Sequence, residues 1–136
     1  MKKFLLPAMI LGLIITITSC TNNNPEKTVS DFLDAINERN WEEAKKLSTT
    51  DSESMIDMLK GFSEMVPDSA ITKIKYEILK EKTTINGDNA SVFSRDENGN
   101  EMEYKVVKVD NVWKVNFSIE AVMGDMQTEQ TIDQAL

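Results

Sequence analysis

The sequence predicts an α+β domain, with N-terminal helices packed on one face of a four-stranded antiparallel meander. Three observations carry that expectation. From Pro25 to Val66 apolar residues recur at helical spacing, and after Ala70 the period drops to two. Asn-Gly and Asp-Asn turns then punctuate the second half at hairpin intervals. The chain beyond residue 24, about 110 residues, has the usual size of one domain and can bury about 65% of its unfolded surface.

Each element has a local cause. Asn24 is placed to cap helix one, with Pro25 at its first position and Glu26 in its first turn. Val29, Phe32, Leu33 and Ile36 follow at i, i+3, i+4 and i+7, a single apolar stripe. Asn37 to Asn40 breaks the helix. Asn40 can cap a second, short helix, with Glu43 set for a capping-box-like start and Trp41, Ala44 and Leu47 on its apolar side. Ser52 or Asp51 can cap a third helix, whose Met55, Leu59, Phe62 and Val66 keep helical spacing until Pro67-Asp68. Ile74, Tyr76 and Ile78 alternate with charged residues, as a half-buried strand does. Asn86-Gly87-Asp88 turns into a second strand, Ala90 to Arg95. Asn98-Gly99-Asn100 turns into a third, with Met102, Tyr104 and Val106. Asp110-Asn111 is a two-residue hairpin signal into Trp113, Val115 and Phe117. The tail, 119–136, has weak helical spacing at Val122, Met123 and Met126, and reads as a frayed helix or a disordered segment outside the core.

The N-terminus is organised differently. Lys2 and Lys3 precede an apolar run from Phe4 to Ile17, the layout of a secretory signal. The run ends in Ile17-Thr18-Ser19-Cys20, which resembles the lipobox of bacterial lipoproteins. The resemblance implies a signal peptide over 1–19, cleavage after Ser19, lipid on Cys20 and a tether over 20–24. The rival reading is an uncleaved anchor. A helix over that run rises only about 21 Å, short of a hydrocarbon core of about 30 Å, so an anchor would draw the polar Thr18–Asn24 stretch into the membrane. Thr21 lacks the aspartate that retains enteric lipoproteins at the inner membrane, which favours the outer membrane. Residues 21–25 lack the acidic cluster of some surface-exported lipoproteins, which favours its periplasmic face.

Composition narrows the chemistry. Removing Lys2 and Lys3 from the 15 basic residues leaves 13 against 23 acidic ones, a mature net charge near −10. That sign argues against nucleic acid and against basic docking on anionic headgroups. The chain has no histidine and one cysteine. Serine–histidine and cysteine–histidine catalysis, an internal disulfide and most zinc sites are thereby excluded. No cofactor or metal is expected.

The helix Pro25-Glu26…Val29…Phe32-Leu33…Ile36, the following Trp41-Glu42-Glu43-Ala44 and the closing Val112-Trp113-Lys114-Val115 together resemble small bacterial lipoproteins of the Bacteroidetes kind. Those proteins carry a cystatin-like, or nuclear-transport-factor-two-like, domain. The resemblance covers roughly residues 25–118 and implies a curved sheet wrapping a long helix around a conical pocket. It does not select among the roles of that superfamily, which include ketosteroid isomerases, dehydratases, transport factors and lipoproteins.

Met55, Met58, Leu59 and Phe62 of helix three, with Tyr76, Tyr104 and Trp113 of the strands, are the expected lining of an apolar ligand cleft. The plainer reading of the methionines is flexible core filler, and copper(I) is disfavoured without histidine or further cysteine. An isomerase-like site would take its phenol from Tyr76 or Tyr104 and its base from Asp34, Asp57 or Asp68. The run Asp96–Glu101 places Gly99 where a hairpin turn needs it and an EF-hand loop does not. Asp68-Ser69-Ala70 resembles the short O-glycosylation motif of exported Bacteroidetes proteins, which makes Ser69 a candidate acceptor. Asn116-Phe117-Ser118 fits the eukaryotic N-glycosylation triplet, which carries little meaning behind a bacterial lipobox. The expected function is a lipid-anchored envelope protein that binds a small amphipathic ligand or an envelope protein without catalysis. An interaction scaffold and a ketosteroid-isomerase-like enzyme are the alternatives.

Overall fold

The structure, a computed structural model, describes residues 24–118. The signal segment, Cys20 and the tail from residue 119 lie outside the described residues. Three helices precede the sheet: α1 (Pro25–Asn37), α2 (Trp41–Lys46) and α3 (Glu53–Glu64). Among the described residues, none of the helices is long and apolar enough to cross a membrane.

The caps act as their chemistry predicts. Asn24 Oδ1 accepts from the Glu26 and Lys27 amides at 2.9 and 3.3 Å, and Asn40 Oδ1 accepts from the Glu43 amide at 3.3 Å. Helix α1 ends in a Schellman-type turn, with the Asn40 amide donating to Ala35 O at 2.8 Å and the Arg39 amide to Ile36 O at 3.1 Å. Arg39 takes the left-handed position of that turn, φ 57°, where glycine is usual. Its guanidinium compensates by donating to Asp68 Oδ1 at 2.7 Å and Ser63 O at 2.9 Å. The far end of α3 is thereby held beside the far end of α1.

Ser52 does not cap α3. Its backbone is already helical and its side chain makes no capping bond. The hydroxyl is fully buried and engaged elsewhere: it accepts from the Phe117 amide at 2.8 Å, meets Val115 O at 3.3 Å and lies 2.8 Å from the Thr49 hydroxyl. Asp51, the other expected cap, sits exposed in the short 3₁₀ turn Thr50–Ser52. Ser52→Ala should therefore cost about 1–3 kcal/mol, because the Phe117 amide loses its partner. Urea unfolding checks this, and a neutral result would mean that the hydroxyl is dispensable.

The sheet is antiparallel throughout, in the order β1 (Tyr76–Ile78), β3 (Asn89–Asp96), β4 (Glu101–Val109), β5 (Val112–Asn116). A further strand, β2 (Thr84–Asn86), pairs with the opposite end of β3 along the edge that β1 also uses. The expected four rows are present, but the first is broken in two. Leu79 causes the break. Its side chain is buried and its amide donates to Phe93 O at 2.8 Å, while Lys80–Lys82 bulges outward as a 3₁₀ turn. Asp110 and Asn111, both at positive φ (49° and 68°), close the β4–β5 hairpin as a primed turn requires.

The inner face of the sheet, Ala90, Val92, Tyr104, Val106, Trp113 and Val115, meets Val29, Phe32 and Ala35 of α1, Ala44 of α2 and Ile56 of α3. Phe117 packs on Phe32 with ring centroids 5.6 Å apart. The Lys108 ammonium lies 4.7 Å from the Trp113 ring centre. The outer face carries charge: Arg95 and Lys82 both meet Glu101, and Lys105 meets Glu103. Beyond β5 the segment around Ser48 adds in parallel, with Thr49 N donating to Val115 O at 2.9 Å and Val115 N to Leu47 O at 2.8 Å.

Candidate functional site

The space between sheet and helices, where a ligand pocket was expected, is packed. Phe32, Tyr104 and Trp113 fill it together. A cleft opens instead on the side of α1, against the approach to β1. It has a volume of about 610 Å³ and is lined by Ser30, Asp34, Asn37, Ile74, Tyr76 and Ile78, with Glu38, Lys73 and Lys75 also on its walls.

Two long-range polar contacts build this cleft. The Asn37 amide pairs with both backbone groups of Ile74, donating to its carbonyl at 2.9 Å and accepting from its N–H at 3.0 Å. One side chain thus does the work of a neighbouring strand. The Tyr76 hydroxyl reaches α1, 2.7 Å from Asp34 Oδ1, 2.9 Å from Ser30 O and 3.3 Å from Ser30 Oγ. Burial first, with the Asp34 carboxylate adding to it, pushes the Tyr76 phenol up to about 12, and the Ser30 hydroxyl opposes them.

Of the three expected bases, only Asp34 meets a tyrosine. Asp57 pairs with Lys45 at 2.6 Å and Asp68 with Arg39 at 2.7 Å. The Tyr76–Asp34 contact is poorly arranged for proton transfer to a substrate. The single phenolic proton is already shared by two acceptors, one of them the would-be base, so no donor is left facing the cleft. The pair clasps β1 to α1. Its pH signature follows from the sign of the shift. An unfolded phenol ionises near 10 and the native one near 12. The clasp's contribution is intact below pH 10 and is lost as pH rises towards 12. Tyr76→Phe should lose less stability than the native chain between pH 8 and pH 11.5. Equal losses, read as unfolding midpoints, would remove the clasp.

The seven residues expected to line one cleft are dispersed. Tyr104 and Trp113 are buried in the core, and burial pushes the Tyr104 phenol up, against its bond to the Ser94 hydroxyl. Tyr76 faces α1 from the other side of the domain edge. On α3, Met55 and Leu59 are half-buried, Met58 is exposed and Phe62 is 59% exposed. The helix turns Ile56 inward, so the stripe expected to face the sheet is half-buried at Met55 and Leu59 and turns to water at Phe62 and Val66. Ser69 is exposed on the turn Asp68–Ala70. The acidic run at 96–101 uses its first carboxylate internally. Asp96 accepts from the Asn98 and Asn100 amides, both at 2.9 Å, and from Asn100 Nδ2 at 2.8 Å, which holds its carboxyl below the usual range.

No family model, curated protein or solved structure matches this chain. The site must therefore be read from its own geometry. The most unusual surface is the outer side of α3. Of its twelve residues only Ile56 is buried, while Met58, Phe62, Met65 (81% exposed) and Val66 form a run of apolar side chains in water. Reasoning on the sequence missed Ser30 and Asn37, the residues that shape the α1 cleft. Neither carries a local signal, because their partners lie 46 and 37 residues away.

Proposed function

We propose that this chain is a lipid-anchored cell-envelope protein, tethered through Cys20, whose cystatin-like domain binds a protein partner without catalysis. The anchor rests on the lipobox and the apolar segment before it. The fold assignment is supported by α1 lying across an antiparallel meander. The observation that carries the binding role is α3, a helix that buries one side chain and presents Met58, Phe62, Met65 and Val66 outward. Glu53 and Glu64 lie on the same helix beside a single Lys60, while Asp57 and Asp68 are already paired with Lys45 and Arg39. The partner this fits presents a complementary apolar surface.

Two experiments test the reading. Cys20→Ala should abolish lipidation and release the chain from membranes, and mass spectrometry of the N-terminus checks it. A mature N-terminus other than acylated Cys20 removes the anchor. A photo-crosslinking residue at position 62 should yield a discrete adduct in cells that is lost on Met58→Asp, whereas one at position 84 should yield none. Identical patterns from the two positions would remove α3 as the docking face.

The α1 cleft supports a second reading, since its volume is that of a small-molecule site and Ile74, Tyr76 and Ile78 give it apolar walls. A small amphipathic ligand at about 100 times its dissociation constant would then add about 2.7 kcal/mol to unfolding. A thermal-shift screen in which Asn37→Ala removes the response would favour this site over α3.

A further inference from the structure

A second cleft lies at the opposite margin of the sheet, where the chain through Ser48 runs along β5. Its volume is about 560 Å³. One wall is the outer face of the β4–β5 hairpin: Val107 and Val109 on β4, Lys114 and Asn116 on β5, with Val107 opposite Lys114 in register. The other is the end of α2 and the turn into α3, with Lys45, Lys46, Asp51 and Glu53.

Both signs of charge line this cleft, yet no ion pair closes across it. Lys45 pairs with Asp57 at 2.6 Å and Lys46 with Glu43 at 3.6 Å, and neither acid lines the cleft. The Lys114 ammonium donates to the Lys46 carbonyl, an uncharged acceptor that leaves its charge unbalanced and further protons to give. Asp51 and Glu53 have no ion-pair partner among the described residues. Asn116, half-buried on the same strand face as Lys114, makes no side-chain hydrogen bond among the described residues. An ammonium beside an uncommitted carboxamide suits a carboxylate, and two unpaired carboxylates suit an amine. A simple anion would face Asp51 and Glu53, and a simple cation would face the lysines. One molecule carrying both charges satisfies both walls, and Val107 and Val109 offer apolar contact to its middle.

We infer that this cleft binds a short apolar peptide with free termini, its carboxylate on Lys114 and Asn116 and its amine on Asp51 and Glu53. The site shares no residue with the outward side of α3 and stands apart from the docking read there.

Calorimetric titration of the full chain with the tripeptide Ala-Val-Ala tests this, beside its N-acetylated and C-amidated forms. The free tripeptide should bind, and capping either end should weaken it by about tenfold, the loss of one charge-assisted contact. In Lys114→Met, amidation should cost little further while acetylation still does. Asp51→Asn with Glu53→Gln should reverse that pattern. Methionine keeps the aliphatic stem of Lys114, and Asp51 and Glu53 are exposed, so these variants keep the fold. Equal affinity of the three peptides, no binding of the free one at millimolar concentration, or capping losses that ignore the variants would overturn the site. Tighter binding of the acetylated form would show a plain anion site and overturn it equally.

Discussion

Trp113→Ala should destabilise the domain by about 3–5 kcal/mol, the largest loss expected from any single truncation in the sheet. Trp113 is buried in β5 on the face that meets α1, in one cluster with Phe32, Tyr104 and Val115. Removing the indole opens a void that rigid neighbours on three strands cannot close, and it strips the Lys108 ammonium of the ring it covers. Lys105→Ala is the control. Its side chain is on the outer face, paired with Glu103, and its loss should stay within about 1 kcal/mol. Urea unfolding of both variants decides the point. Equal effects would mean that the two faces of the sheet are assigned the wrong way round.

Ile56→Ala should cost about 2–5 kcal/mol and act differently. Ile56 is the only side chain of α3 that is buried, so it anchors the whole helix to Ala44 and the sheet. Met55 and Leu59 are only half-buried beside it, and the polar ties of α3 are Ser52 to the Phe117 amide at one end, Arg39 to Ser63 at the other, and Lys45 to Asp57 between them. Truncating Ile56 should let α3 exchange its amide protons well before the sheet does, which hydrogen exchange resolves by segment. A uniform loss of protection across α3 and β3–β5 would instead show that the helix unfolds only with the core.

What was legible in the sequence acts over a few residues. Asn24 and Asn40 cap because the amides they serve follow within three positions, and Asp110-Asn111 turns because both residues tolerate positive φ. The α+β order and the antiparallel pairing follow from the change of period at Ala70. The facing of α3 was not legible, for a definite reason. Its apolar residues at 55, 56, 58, 59, 62, 65 and 66 form two overlapping stripes, and periodicity cannot say which one a sheet will bury. The structure buries the one containing Ile56. The broken first row escaped for another reason: Leu79 is one more apolar residue after Ile78, and only the Phe93 carbonyl opposite explains its inward turn. The α1 cleft was the least legible part. Tyr76 and Asp34 were both candidates, but their contact spans 42 residues, and only the fold shows that the phenol is shared between Asp34 and Ser30.

The two margins of the sheet bear on how copies of the domain meet. An unpaired strand margin is a template on which copies of a chain stack. Here the β5 margin is occupied by the chain running through Ser48, and the opposite margin is interrupted at Leu79, leaving pieces of three residues each. Just before the first piece, the Asn37 amide has already claimed both backbone groups of Ile74. Neither margin offers a run long enough to nucleate a fibril. Copies of the domain brought together at high density therefore meet through side chains rather than through backbone.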